Sequence, residues 1–260
     1  MFDYIENNLI EINDKINKAK LKRDNRNTEN LYDLYNLDPE VRLLAVTKTV
    51  EPEKINFAIS KGINLIGENR VNELLEKYDK INRENLSIHF IGNLQTNKVK
   101  YIIDKVDMIQ SVDSLRLAEE INKRAEQHNI IMDILVELNI GNEDTKIGIN
   151  PKDTEKFILS LKDLKNIKIK GLMAIPPVCA SYTNNTMETV QNHENTEIIK
   201  YFSEVNEIFI DISAKKIDNI YNVDLRVLSI GMSNDFEEAI ICNANIVRIG
   251  TAIFGQRTRK

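Results

Sequence analysis

Residues 225–255 read LRVLSIGMSNDFEEAIICNANIVRIGTAIFG. An apolar, β-branched run at 225–230 stops at Gly231, an amphipathic helical stretch follows at 236–241, and a second apolar run at 246–249 stops at Gly250. Two strands joined through a helix run parallel, because a parallel pair needs a crossover connection that a hairpin cannot supply. The segment therefore predicts one unit of a parallel sheet with helices packed outside it.

The same rhythm extends back through the chain. Strand-like runs occupy 41–47, 63–66, 87–91, 107–110, 133–139 and 168–173, which with the last two makes eight. Helical spacing i, i+3, i+4, i+7 recurs in Val71, Leu74, Leu75 and Tyr78 and again in Val99, Ile102, Ile103 and Val106. Leu115, Ala118, Ile121 and Ala125 share a face, as do Ile198, Phe202, Val205, Phe209 and Ile212. Asn150, Pro151 and Asp153 read as N-cap, first helical position and acidic first turn. Eight repeats of roughly 20–25 residues favour a closed (β/α)8 TIM barrel over a doubly wound sheet, which usually has about five or six strands. Phe2, Ile5, Leu9, Ile12 and Ile16 add an N-terminal helix docked on the body. The expected organisation is a single α/β domain over 1–260, with helix and linker in 1–38 and a polar surface insertion at 178–197.

Composition narrows the partners. The chain carries 35 basic and 40 acidic residues, a formal charge of −5, whereas binding to a phosphate backbone needs a net basic face. No apolar run approaches the roughly 20 residues of a membrane helix, and acidic residues from Asp3 onward do not suit a signal peptide. Cys179 and Cys242 make no disulfide framework. The expectation is a cytoplasmic monomer that binds neither nucleic acid nor membrane. There are nine glycines, and six of them (Gly67, Gly92, Gly141, Gly171, Gly231 and Gly250) are expected at or just beyond strand C-termini, the rim where barrels place their sites.

Four features of that rim carry chemistry. Lys48 ends the first strand, where desolvation favours the neutral amine that a Schiff base needs; the alternative is an ordinary solvated lysine. The loops after the seventh and eighth strands hold Gly231-Met232-Ser233 and Gly250-Thr251, positions that in barrels often bind phosphate through backbone N–H groups. Ser233 or Asn234 could equally cap the following helix, and Asp235, Glu237 and Glu238 must point away if an anion is to bind. Arg248 lies inside the last strand and needs a partner, either a structural ion pair or a ligand atom. Asn69 could meet a ligand or cap a helix. His89, alone in a strand, reads as a satisfied core residue. No metal-ligand spacing is present, and Gly250–Gly255 lacks the Lys-Ser/Thr of a P-loop.

A lysine after strand one with a phosphate site after strands seven and eight suggests pyridoxal phosphate. The segments LLAVTK, IGENRVNE, HFIGNLQTNK, GLMAIPP, LSIGMSND and VRIGTAIFG follow one another over about residues 41–257. In that order they resemble the pyridoxal phosphate homeostasis protein family, which is related to the N-terminal barrel of alanine racemase. The resemblance implies Lys48 as the Schiff-base lysine, and Ser233, Gly250 and Thr251 as phosphate binders. It also implies Arg248 at the pyridine nitrogen, Asn69 beside the ring and Met173 in the floor. It further implies a cofactor carrier or buffer with no established catalytic residue, its recipients being pyridoxal-phosphate-dependent apoenzymes. A racemase using Lys48 and an unidentified base, or a Schiff-base aldolase acting on a phosphosugar, are the alternatives. The chain ends ten residues after Gly250, so the second domain that completes alanine racemase is not expected. Arg70 departs from the family pattern, where an aromatic residue is common.

Overall fold

The computed structural model describes residues 2–26, 38–141, 147–177, 190–215 and 222–256. Eight parallel strands among them close into a barrel in sequence order, β1-β2-β3-β4-β5-β6-β7-β8, with β8 pairing back onto β1. They are β1 (Arg42–Val46), β2 (Leu65–Glu68), β3 (Ser87–Phe90), β4 (Met108–Val112), β5 (Met132–Leu138), β6 (Ile167–Ala174), β7 (Val223–Ser229) and β8 (Ile246–Ile249). The helices are α1 (Asp3–Arg26), α2 (Pro52–Ser60), α3 (Val71–Lys77), α4 (Leu115–Gln127), α5 (Thr154–Ser160), α6 (Val190–Ala214), α7 (Phe236–Ile241) and α8 (Thr251–Phe254). The (β/α)8 expectation and the N-terminal helix are both present.

Period-two alternation divides the strand side chains between two cores. In β5, Met132, Ile134, Val136 and Leu138 join the large outer core beneath the helices, whereas Leu135 packs inside the barrel with Met108 and Met173. A second interior cluster joins Leu44, Val46, Leu65 and Ile246. Ile198, Phe202, Val205, Phe209 and Ile212 of α6 are all buried, as their spacing predicts.

Several boundaries differ from expectation for identifiable reasons. α1 runs to Arg26, so 20–26 is helix and not linker. The buried stripe Ile5, Leu9, Ile12, Ile16 and Ala19 continues at Arg23, whose Nη2 donates to Pro39 O at 2.9 Å. Residues 99–106 do not form an α-helix. Thr96–Tyr101 is a 3₁₀-helix, and Val99, Ile102, Ile103 and Val106 are buried through it and the turns that follow. Asn150 does cap, accepting from Lys152 N at 3.0 Å, but over a 3₁₀ turn (Pro151–Asp153) that precedes α5. Leu115 and Leu75 are exposed, and Leu117 takes the inward position in α4. α6 begins at Val190, inside the expected insertion. The rest of that insertion, with Cys179, and linker residues 27–37 lie outside the described residues.

Of the glycines expected at or just beyond strand C-termini, Gly67 lies next to the end of β2 and Gly171 lies well inside β6. Gly171 sits at a register shift against both neighbouring strands, with φ +154, and a Cβ there would lie 1.7 Å from Val227 O. Alanine at 171 therefore forces strand β6 away from β7. Gly171→Ala should lower stability by about 3 kcal/mol or more, in the range reserved for backbone strain and overpacking. Urea unfolding monitored by circular dichroism checks this, and an unchanged midpoint would contradict the close approach.

Candidate active site at the barrel mouth

The pairing Leu44↔Arg248 and Ala45↔Ile249 carries the ends of β1 and β8 to the same side of the mouth. Lys48 and the Gly250-Thr251 turn consequently line one cavity of ≈ 90 Å³, with Val46 and Phe254 as its apolar walls. Ser233 joins from the loop after β7, its Oγ accepting from Ala252 N at 3.4 Å. That loop is tight. Gly231 has φ +90, and a Cβ there would lie 2.5 Å from Ala239 Cβ.

Neither Ser233 nor Asn234 caps α7, contrary to the capping alternative. Asp235 holds the N-cap position, and its carboxylate accepts from Met232 N at 2.5 Å, bending the loop back on itself. Burial pushes the Asp235 carboxyl up, against the pull of the Met232 amide and of Arg248. α7 packs on α1. The Lys15 ammonium of α1 is held above its ordinary value, chiefly by its bond to Glu11 and also by the Glu237 charge, and Glu238 feels Lys22 of the same helix. Glu237 and Glu238 thus interact with lysines of α1.

Arg248 is almost wholly buried, at 4% exposure. Its Nη1 donates to Ser229 O (2.6 Å) and Ser229 Oγ (2.8 Å), and its Nη2 to Ala174 O (2.9 Å). All three acceptors are neutral, so the ion-pair alternative does not hold among the described residues. Burial lowers the guanidinium to about 10, opposed by Glu137 and Asp235, so the group stays charged near neutrality. The chain of donors continues inward: Ser229 Oγ donates to Gln110 Oε1 at 2.7 Å, and Gln110 Nε2 lies 2.8 Å from His89 Nδ1. With Gln110 Oε1 already accepting, its amide N–H must donate, so His89 presents a lone pair at Nδ1 and is neutral. Burial, with the Arg42 charge, pushes His89 down to about 3.

Met173 is fully buried, in the interior cluster with Leu135 and Met108. Asn69 stands apart from the Lys48 cavity. It lines a neighbouring cleft with Arg70, Asn93, Gln95 and Lys98, and its buried Oδ1 has no hydrogen-bond partner among the described residues. Arg70 occupies the N-cap position of α3, where an exposed side chain turns to Glu73 at 2.9 Å. The expected residues thus form one group of Lys48, Ser233, Gly250 and Thr251, a buried pair of Arg248 and Met173 beneath the mouth, and Asn69 to one side.

Sequence reasoning missed two sets. Glu137 is the register partner of Met173, and strand alternation turns it inward one position above Leu135. Burial pushes its carboxyl up to about 7, helped by Asp113 and opposed by Arg248. An acid within the apolar run ILVEL was the available signal. The second set flanks Lys48. Glu68 closes β2 and is buried, its Oε1 accepting from Thr47 Oγ1 (2.7 Å) and Lys77 Nζ (2.9 Å). Lys77 also donates to Thr47 O at 2.8 Å, and Glu73 Oε2 accepts from Thr49 N at 2.7 Å. Thr49 has φ +61, left-handed backbone that costs a β-branched residue on the order of 1–3 kcal/mol.

His89 makes the network sensitive to acid. Below its ordinary pKa of 6.5 the unfolded chain binds a proton that the folded ring, held near 3, does not. Stability is therefore lost as pH falls from 6.5 toward 3, by up to about 1.4 kcal/mol per pH unit. The stability difference between wild type and His89→Gln should shift in favour of the variant on acidification. Urea titrations from about pH 7 to about pH 4 measure it, and a difference that does not change with pH would contradict a buried neutral histidine.

Residues 20–258 match the family described as "Alanine racemase, N-terminal domain". A pyridoxal phosphate homeostasis protein of Aquifex aeolicus is 43% identical over 217 residues, 83% of this chain and 87% of that protein. One of Haemophilus influenzae is 32% identical over 255 residues, 97% of this chain and 96% of its own length. The structure of PipY from Synechococcus elongatus, solved with pyridoxal phosphate bound, aligns with a TM-score of 0.70 at 28% identity, over 86% of this chain and 98% of that one. Eight parallel strands, the rim motifs and these relatives together place the chain in the pyridoxal phosphate homeostasis protein family, built on the alanine racemase N-terminal barrel.

Proposed function

We propose that this protein holds pyridoxal phosphate at the barrel mouth through Lys48 and acts in cofactor homeostasis, buffering the aldehyde or delivering it to apoenzymes. The observation that carries the reading is the shared cavity of Lys48, Gly250 and Thr251. The names of the Aquifex and Haemophilus relatives, and the ligand of PipY, support it. When bound, the cofactor supplies an aldehyde that a primary amine captures as a Schiff base, releasing water.

The residues present fit such a group. Three of the five guanidinium N–H donors of Arg248 are used within the protein, which leaves two for a ligand atom. The unpartnered Oδ1 of Asn69 is an acceptor in reserve beside the mouth. Ser233 Oγ and the backbone N–H groups of Gly250 and Thr251 would hold the phosphate, and Met173 would floor the site. Arg248 donates and cannot accept, so a pyridine nitrogen facing it keeps its lone pair and the ring draws electrons weakly. That suits storage better than turnover. The reading places the protein in the cytoplasm as a monomer. Among the described residues no helix is long and apolar enough to cross a membrane.

Borohydride reduction of protein incubated with pyridoxal phosphate should fix one pyridoxyl group on the Lys48 peptide, and Lys48→Ala should abolish that mass gain. An unchanged gain in the variant would sink the assignment.

One group supports a second reading, an amino-acid racemase. Glu137 lies one residue before the end of β5, diametrically across the closed barrel from β1, with its carboxyl pushed up to about 7. It could serve as the second base that such chemistry requires. Chiral analysis after incubation with alanine, serine and glutamate separates the two. The buffering reading expects no sustained inversion, and inversion abolished by Lys48→Ala would replace it with the enzyme.

A further inference from the structure

We infer that Glu68, Glu73 and Lys77 form a positioning clamp that fixes the backbone on both sides of Lys48 and so aims its amine at the mouth. The inference rests on the assignment of Lys48 as the cofactor-binding amine. Two peptide planes flank the Lys48 Cα, one carrying the Thr47 carbonyl and the other the Thr49 amide. Lys77 Nζ donates to the first at 2.8 Å, and Glu73 Oε2 accepts from the second at 2.7 Å. With both planes held, the φ and ψ of Lys48 have little freedom, and the Cα–Cβ direction is set before any ligand arrives.

The clamp is itself anchored. Glu73 and Lys77 lie one turn apart on α3, with Lys77 Nζ 3.4 Å from Glu73 Oε2. Glu68 takes the remaining reach of Lys77 at 2.9 Å and the Thr47 hydroxyl at 2.7 Å. Lys77 is only 11% exposed in its side chain and Glu68 only 2%. An ion pair withdrawn from water to this degree is weak evidence for stability, since apolar residues of similar volume often serve as well. Its cost is understandable if it controls geometry. Thr49 points the same way: a β-branched residue is kept at φ +61, and the Glu73 carboxylate holds the amide that this conformation presents. Glu68, Glu73 and Lys77 touch no cofactor in this account and act only through the segment 47–49.

The test uses the full-length protein freed of cofactor, with two readouts. One is the rate at which added pyridoxal phosphate is captured, followed by absorbance. The other is the rate at which a succinimidyl ester acylates Lys48, read by peptide mass spectrometry against the exposed Lys123 as internal reference. Glu73→Ala removes the acceptor for the Thr49 amide, and Glu73→Gln keeps an oxygen there. The double variant Glu68→Gln/Lys77→Met removes the buried pair without leaving one charge alone. Glu73→Ala and the double variant should slow capture by about 10- to 100-fold, as displacement of a reacting group does. They should also change the acylation rate of Lys48 relative to Lys123, while Glu73→Gln stays near wild type. Thermal unfolding shows whether each variant folds. If the double variant does not, the contrast between Glu73→Ala and Glu73→Gln decides. Folded variants that capture cofactor and acylate Lys48 at the wild-type rate would overturn the clamp and leave a structural ion cluster. The two ideas fail separately. If Lys48→Ala still gains the pyridoxyl mass, the cofactor assignment falls, and acylation of Lys48 still reports on the clamp.

Discussion

The buried charge of Arg248 is the constraint around which the barrel interior is arranged. A guanidinium removed from water must have its N–H groups met, and here neutral oxygens meet three of them. That demand reaches across the fold. Ala174 ends β6 and Ser229 ends β7, so all three acceptors belong to residues at strand C-termini. Ser229 must then pass its own proton to Gln110 on β4, and Gln110 must donate to a neutral His89 on β3. Five strands take part in satisfying one side chain. Such a network brings little net stability compared with an apolar filling. Its value lies in a fixed positive group with donors to spare, set just below the mouth.

Above that network, closure of the sheet does the positioning. Lys48 and Gly250 are separated by almost the whole barrel in sequence, yet the β1–β8 pairing sets them at one cavity. The interior below is apolar, from Met173, Leu135 and Met108 on one side to Leu44, Val46 and Leu65 on the other. Lys48, Ser233 and the Gly250 turn lie at the C-terminal ends of their strands, where barrel sites generally sit. Charged residues at the other end, such as Asp224 with Lys170 and Arg226, pair among themselves. Burial raises the Asp224 carboxyl, but those two cations outweigh it and hold the group at about 2.

The repeat of strands and helices was legible because each unit buries a local apolar pattern. Lys48, Ser233, Arg248, Gly250 and Thr251 were legible as rim residues because each follows or sits in such a run. What local pattern could not show was partnership. Ser229 and Gln110 are 119 residues apart, and Thr47 and Lys77 are 30 apart. No periodicity links them until the barrel closes. The capping role offered to Ser233 failed for a related reason: Asp235 takes that position, and the serine turns to the amide of Ala252 on the next unit. Residues 99–106 had helical spacing but span the end of a 3₁₀-helix and the turns after it, because burying four apolar residues in a short connection does not require a full helix. Arg23 extended α1 past its expected end because its guanidinium found the Pro39 carbonyl, a contact outside the helix itself.

On the proposed function, one mouth between β7, β8 and β1 receives the cofactor with its phosphate at the Gly250 turn and its ring over Arg248. A crystal structure of the protein grown with pyridoxal phosphate tests this most directly. The expected result is phosphate density within hydrogen-bond reach of Ser233 Oγ and the Gly250 and Thr251 amides, the pyridine nitrogen facing Arg248, and continuous density to Lys48 Nζ. Phosphate density in the Asn69–Lys98 cleft, or a ring turned away from Arg248, would contradict it.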